Sequence, residues 1–134
     1  MRLIQSHTDY AVRAILFIAA SEKEMVSSAD LEAELDLPRP FMRRIMQDLQ
    51  KAGILKSLRG YQGGFQLAKA PAEIFLMDLI ELFQGGLDLT ECIFRKKVCP
   101  NCKTCPIRRR VKKIENYVLR ELQGINLAVL MQEK

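Results

Sequence analysis

The sequence predicts a mainly α-helical fold with one small β-hairpin. Three observations carry this. Apolar residues recur at helical spacing in several segments of the first ninety residues, two short alternating runs flank a glycine-rich tip, and one apolar stripe follows a basic helix near the C-terminus. At 134 residues, 49% hydrophobic and 28% charged, the chain fits one domain with an appendage, with enough apolar mass for a core without disulfides. Its longest apolar run, Ala14 to Ala20, is far short of the roughly 18–20 residues that cross a bilayer. Asp9 and Arg13 beside that run make it an amphipathic helix of the mature protein rather than a leader. A cytoplasmic protein without membrane contact is expected.

The first helix, Thr8 to Ala20, sets Ala11, Ile15, Ile18 and Ala19 on one face, with Thr8 or Asp9 as the expected cap. Ser27 opens a short second helix, with Asp30 three residues on in capping-box register and Leu31 and Leu35 inward. Asp36-Leu37-Pro38 makes a tight turn. Pro40 then starts a third helix to Ala52, which buries Phe41 or Met42, Ile45, Met46 and Leu49 and stops at Gly53. Residues 54–58 and 65–68 alternate as strands around Arg59-Gly60-Tyr61-Gln62-Gly63-Gly64. A fourth helix is expected from Pro71 to Phe83, with Ile74, Phe75, Leu79 and Leu82 inward, stopped by Gly85-Gly86 and packed on the first.

Two short helices across a tight turn, followed by a glycine-tipped hairpin, make a winged helix-turn-helix. The distribution of charge agrees. The net charge is +5, but residues 1–90 carry 10 basic and 12 acidic side chains, whereas Arg39 to Arg59 hold six basic and one acidic. That is the focused footprint of a duplex reader. Arg43, Arg44 and Gln47 on the third helix suit base edges, since arginine pairs bidentately with guanine and glutamine with adenine; Arg39 and Pro40 lie near the backbone. Arg59 and Tyr61 at the wing tip would reach phosphates or the minor groove, and Lys51 and Lys56 would add salt-dependent affinity. Read singly, such arginines form a solvated face and such glycines serve a turn; together they reinforce one another.

The remaining charge is concentrated elsewhere. Nine basic and no acidic residues lie between Cys92 and Lys113, together with all four cysteines, spaced Cys92-x6-Cys99-x2-Cys102-x2-Cys105-Pro106. Clustered thiols in an intracellular protein point to metal ligation or redox chemistry, and four soft ligands in fourteen residues suit zinc or an iron–sulfur cluster. The C-x2-C-x2-C run is that of bacterial ferredoxins without its fourth cysteine, while zinc more often pairs two C-x2-C knuckles. From Ile107 on, Val111, Ile114, Val118 and Leu122 form one stripe opposite Arg108, Arg109, Lys112, Lys113 and Asn116. Such a stripe needs a partner: the same helix of a second subunit, giving a homodimer with two wings for two half-sites, or the chain's own core.

Met1-Arg2-Leu3 with Thr8-Asp9-Tyr10-Ala11, the stretch Arg43 to Gly53, Arg59-Gly60, Gly63-Gly64-Phe65 and the cysteines Cys92, Cys99 and Cys105 resemble the IscR/NsrR-type (Rrf-family) winged-helix regulators of bacteria, over nearly the whole chain. The resemblance implies a homodimeric repressor or activator of an operator in double-stranded DNA. Its iron–sulfur cluster, 2Fe-2S or 4Fe-4S, would report iron–sulfur supply, iron, nitric oxide or oxidants. It also implies Cys92, Cys99 and Cys105 as ligands, with Cys102 as an extra. Where IscR-like members supply a histidine, three residues beyond the last cysteine, this chain has Arg108. Asp9 from the other subunit or Cys102 would therefore be the fourth ligand, with His7 close by in sequence.

The expected organisation is a winged-helix domain over 1–88, a cysteine-rich cluster-binding loop over 89–105, and a dimerisation helix with a tail over 106–134. Two rivals stand beside it: a DNA reader with a zinc or metal-free loop controlled by a protein partner, and a small iron–sulfur redox protein. Catalysis is not expected, because one histidine leaves no Ser/His/Asp set and no carboxylate pair lies in a pocket motif.

Overall fold

The computed structural model describes residues 3–60, 63–87 and 104–133. Their elements run α1 (Ser6–Ala20), α2 (Ser28–Leu35), α3 (Arg39–Lys51), β1 (Leu55–Leu58), β2 (Gly64–Leu67), a 3-10 turn (Pro71–Glu73), α4 (Leu76–Gln84), α5 (Pro106–Gln123) and α6 (Leu127–Gln132). The mainly helical class with an antiparallel hairpin is as predicted; Leu55 pairs with Leu67 and Leu58 with Gly64.

The core is built from the expected periodic positions. Ala11, Ala14, Ile15 and Ile18 of α1 meet Leu31 of α2 and Met42, Ile45, Met46 and Leu49 of α3, with Ile54 and Leu55 closing the layer from the hairpin side. Each fully buried Leu, Ile or Met side chain here is worth about 1.5–3 kcal/mol relative to exposure. Of the two candidates in the first turn of α3, Met42 is the buried one, and Phe41 is partly covered. Gly53 adopts φ +77°, the left-handed stop that the sequence anticipates.

The start of α1 differs from expectation. Neither Thr8 nor Asp9 caps it: the helix begins at Ser6 with Gln5 at the N-cap, and Thr8 is fully buried inside it. The cap comes from 79 residues away. Gln84 Oε1 accepts from the Gln5 amide at 3.1 Å and from Thr8 Oγ1 at 2.8 Å, while Gln84 Nε2 donates to the Leu3 carbonyl at 3.1 Å. A tertiary partner thus satisfies donors that a local side chain usually serves.

The fourth helix also begins later than predicted. Pro71 starts only a 3-10 turn, Ile74 and Phe75 are extended, and α4 starts at Leu76. The reason lies in the C-terminal segment: Leu76 N donates to Ile125 O at 3.0 Å and Leu127 N to Ile74 O at 2.8 Å, so residues 74–76 serve as a short strand. Ile74 and Leu79 are buried as expected, but Phe75 and Leu82 are exposed, a correction that follows from the shifted helical phase. The helix packs on α1 and ends at Gly85, φ +74°.

A third strand-like contact joins the hairpin where the sequence shows no strand signal. Val26 and Phe65 exchange hydrogen bonds, N to O, at 2.9 and 2.8 Å. This fixes the role of the second tip glycine. A Cβ on Gly64 would strike the Val26 carbonyl oxygen, so the Gly-Gly pair serves close backbone approach as well as the turn.

A second apolar cluster joins Met77 and Ile80 of α4 to Leu122 of α5, with Ile4, Val118, Leu119 and Ile125 around it. The C-terminal half of α5 therefore packs on its own chain. Its N-terminal two-thirds leave Ile107, Ile114 and Tyr117 exposed at 74%, 57% and 61%. No helix among the described residues is long and apolar enough to cross a membrane.

Candidate nucleic-acid interface

The physical basis of the site is the amphipathicity of α3. With Met42, Ile45, Met46 and Leu49 buried at i, i+3, i+4 and i+7, the opposite face must carry Arg43, Arg44 and Gln47, and all three are exposed. Pro40 sits in the first turn of α3, where its missing N–H costs no intrahelical bond. Two aromatic contacts from α1 set the start of this helix: His7 lies over Phe41 with ring centroids 4.7 Å apart, and Tyr10 meets Phe41 edge-on at 6.3 Å.

The N-terminus of α2 is fixed by the predicted capping box. Asp30 N donates to Ser27 Oγ at 3.1 Å and Ser27 N to Asp30 Oδ2 at 3.2 Å. The bonds from Ser27, backbone first, hold the Asp30 carboxyl below its ordinary range.

Between α2, α3 and the hairpin runs a groove of about 570 Å³. Arg39, Arg43 and Arg59 line it, together with Gln47, Gln50 and, at the N-terminus of α2, Ser27 and Ser28. Four of the seven residues expected to contact DNA thus include a set, Arg39, Arg43, Gln47 and Arg59, that the fold gathers around one concavity. Arg44 is exposed on α3 without lining this groove, Pro40 stands at the helix start, and Tyr61 lies outside the described residues. Lys51 and Lys56 are exposed. Leu58, 62% exposed, continues the wing beside Arg59.

Sequence reasoning missed the groove's acidic member. Glu32 of α2 is the one carboxylate among the described lining residues. It accepts from Arg39 Nε at 2.7 Å and from Arg39 Nη2 at 3.3 Å, closing the helix-turn-helix across its turn. The hydrogen bond from Arg39 holds the Glu32 carboxyl below its usual range, and the same bond raises Arg39. No helical spacing rule links positions seven apart across a turn, so only the fold reveals this pair.

Of the expected cluster ligands, Cys92, Cys99 and Cys102 lie outside the described residues. Cys105 is a free, half-buried thiol at the N-cap of α5. Asp9 is on the first turn of α1, where its Oδ2 accepts from Arg13 Nε at 2.9 Å. Arg108 is exposed on α5, one turn beyond Cys105. Among the described residues no three metal-binding side chains come together. A thiolate and a carboxylate oxygen are both donors that iron accepts, so the chemistry of Cys105 and Asp9 fits the expected group.

The chain matches the Rrf2 family model, described as an iron-dependent transcriptional regulator, over residues 4–133. It is 29% identical over 133 residues to the HTH-type transcriptional regulator NsrR of Geobacillus kaustophilus, covering 98% of this chain and 90% of the relative. Among solved structures, CymR, the global cysteine regulator of B. subtilis, superposes with a TM-score of 0.80 at 22% identity, covering 98% and 97% of the two chains. IscR of T. potens gives 0.71 at 23% identity, covering 98% and 87%. At such identities these two likenesses concern the fold.

Proposed function

The chain belongs to the Rrf2 family of transcriptional regulators, and from that premise we propose that it is a homodimeric, operator-binding regulator controlled by an iron–sulfur cluster in its cysteine segment. The observation that carries the DNA reading is the convergence of Arg43, Gln47 and Arg59 on one groove between α3 and the wing. In this reading α3 enters the major groove, with Arg43, Arg44 and Gln47 at base edges and Pro40 and Arg39 beside the backbone. Arg59 and Tyr61 follow the adjacent minor groove or phosphates.

Two exposed apolar residues of α5, Ile107 and Ile114, with Tyr117, support a second copy of the same helix as the partner. Cys92, Cys99 and Cys105 would hold the cluster, with Asp9 of the other subunit or Cys102 as fourth ligand. Asp9 would ligate through a carboxylate whose Oδ2 accepts from Arg13. When bound, the cluster supplies reversible redox and nitrosyl chemistry, and a shift in DNA affinity requires that its ligands be held differently in DNA-competent and incompetent dimers. Ordering of 92–105 against the base of α3 would provide that difference.

Anaerobic purification with a visible spectrum and metal analysis tests the sensor. A chromophore with iron and sulfide, lost together with altered promoter affinity in Cys92→Ala, Cys99→Ala and Cys105→Ala, is the expected result. A colourless protein with one zinc per chain would remove the cluster and leave the DNA reading standing.

A further inference from the structure

The groove that faces DNA in the proposed function contains a carboxylate that nothing in that function requires. Glu32 lines it together with Arg39, Arg43 and Arg59. An isolated acid there would repel phosphate, yet this one is engaged: two guanidinium nitrogens of Arg39 point at its two oxygens, at 2.7 and 3.3 Å. The side chain of Glu32 is 25% exposed and that of Arg39 66%, so the pair sits at the mouth of the groove, where a duplex backbone would pass.

Guanidinium binds carboxylate and phosphate through the same planar fork, so the two anions compete for one face of Arg39. We infer that Glu32 is an affinity-setting residue: it withholds Arg39 from the phosphates and so lowers by one the number of backbone charges that the helix-turn-helix neutralises. This rests on the DNA-binding reading above. The sequence alone suggests the opposite for Arg39, since counting cations between residues 39 and 59 enters it as a free contributor. With Glu32 in place, the cations left for a duplex are Arg43, Arg44 and Lys51 of α3 and those of the wing. The remaining Arg39 N–H groups stay presented at the groove mouth, but with the charge already balanced.

The consequence is measurable, because each neutralised phosphate adds about 0.9 to the slope of log affinity against log salt. The experiment uses the full chain and a duplex of random sequence, titrated between about 50 and 200 mM salt, with Glu32→Gln, Arg39→Ala and the double variant. Glu32→Gln is expected to steepen the slope by about 0.9 and to raise affinity about eightfold at 0.1 M salt. Arg39→Ala leaves Glu32 an isolated acid and should weaken binding and flatten the slope relative to wild type, and the double variant should return to about the wild-type slope without the gain. An unchanged slope in Glu32→Gln overturns the inference, as does a gain that survives in the double variant. Weaker binding by Glu32→Gln also overturns it and makes Glu32 an orienter of a phosphate-binding Arg39. A wild-type chain that binds no duplex at any salt removes the DNA reading itself, and this inference with it.

Discussion

Thr8 and Gln84, 76 residues apart, share a hydrogen bond of 2.8 Å that closes the N-terminal turn of α1 onto the end of α4. Thr8 is fully buried, so its hydroxyl depends on that one amide oxygen, which also serves the Gln5 amide. Gln84→Leu should destabilise the chain by about 1–3 kcal/mol, since the buried hydroxyl is left without its partner. Thr8→Val should cost less, and the two losses should not add. Urea unfolding of the two single variants and the double variant reads out this coupling.

The Ser27–Asp30 box ties acid stability to one helix end. Ser27→Ala is expected to cost about 1 kcal/mol. Because Asp30 is held below its ordinary range, what it contributes is present above the usual carboxylate value and is lost as pH falls through its depressed one. The unfolding midpoint of the wild type should therefore exceed that of Asp30→Asn at neutral pH, and the gap should close below about pH 4.

Gly64→Ala forces a methyl group against the Val26 carbonyl. It should cost at least about 1–3 kcal/mol, the range of overpacking, and should loosen the wing. Protection of the Phe65 and Val26 amides against hydrogen exchange should fall in step, whereas Gly60→Ala, with open space around it but φ +103°, should show backbone strain alone.

Arg43 and Lys51 should behave differently on an operator duplex. Arg43→Ala should cost about 1–3 kcal/mol on the matched sequence and relax preference at one base position. Lys51→Ala should weaken matched and random duplexes alike and flatten the salt slope by about one. Equal behaviour of the two variants would move base reading away from the groove.

Ile114→Asp places a charge in the exposed stripe of α5 without touching the second core at Met77, Ile80 and Leu122. If this stripe forms the proposed dimer, sedimentation should show the wild type associating and the variant monomeric at the same concentration, with the helical circular dichroism retained. An unshifted association state would assign the stripe to another partner.

Much of the fold was legible because its signals are local. Ser27 and Asp30 announce a capping box, Gly53 a left-handed stop, and the period of Met42, Ile45, Met46 and Leu49 fixes which arginines face outward. What escaped was non-local. Gln84 caps a helix at the other end of the domain, Val26 joins the hairpin through a single bridge, and residues 125–127 pair with 74–76 and so delay α4. No window of sequence contains both halves of these contacts. At the site, Arg43, Gln47 and Arg59 were readable from composition and phase. Glu32 was not, because its effect depends on how α2 and α3 cross.

The pairing of Ile125–Leu127 with Ile74–Leu76 also gives α5 a pivot. The helix is anchored at its C-terminal end by that pairing and by Leu122, while Cys105 begins its far end. From Val118, where that packed end begins, back to Cys105 the helix makes an arm of about 20 Å at 1.5 Å per residue. A tilt of about 5° around the anchored end displaces Cys105 by about 2 Å, roughly the length of one metal–sulfur bond. Small angular play at the pivot therefore becomes a full bond length at the thiol.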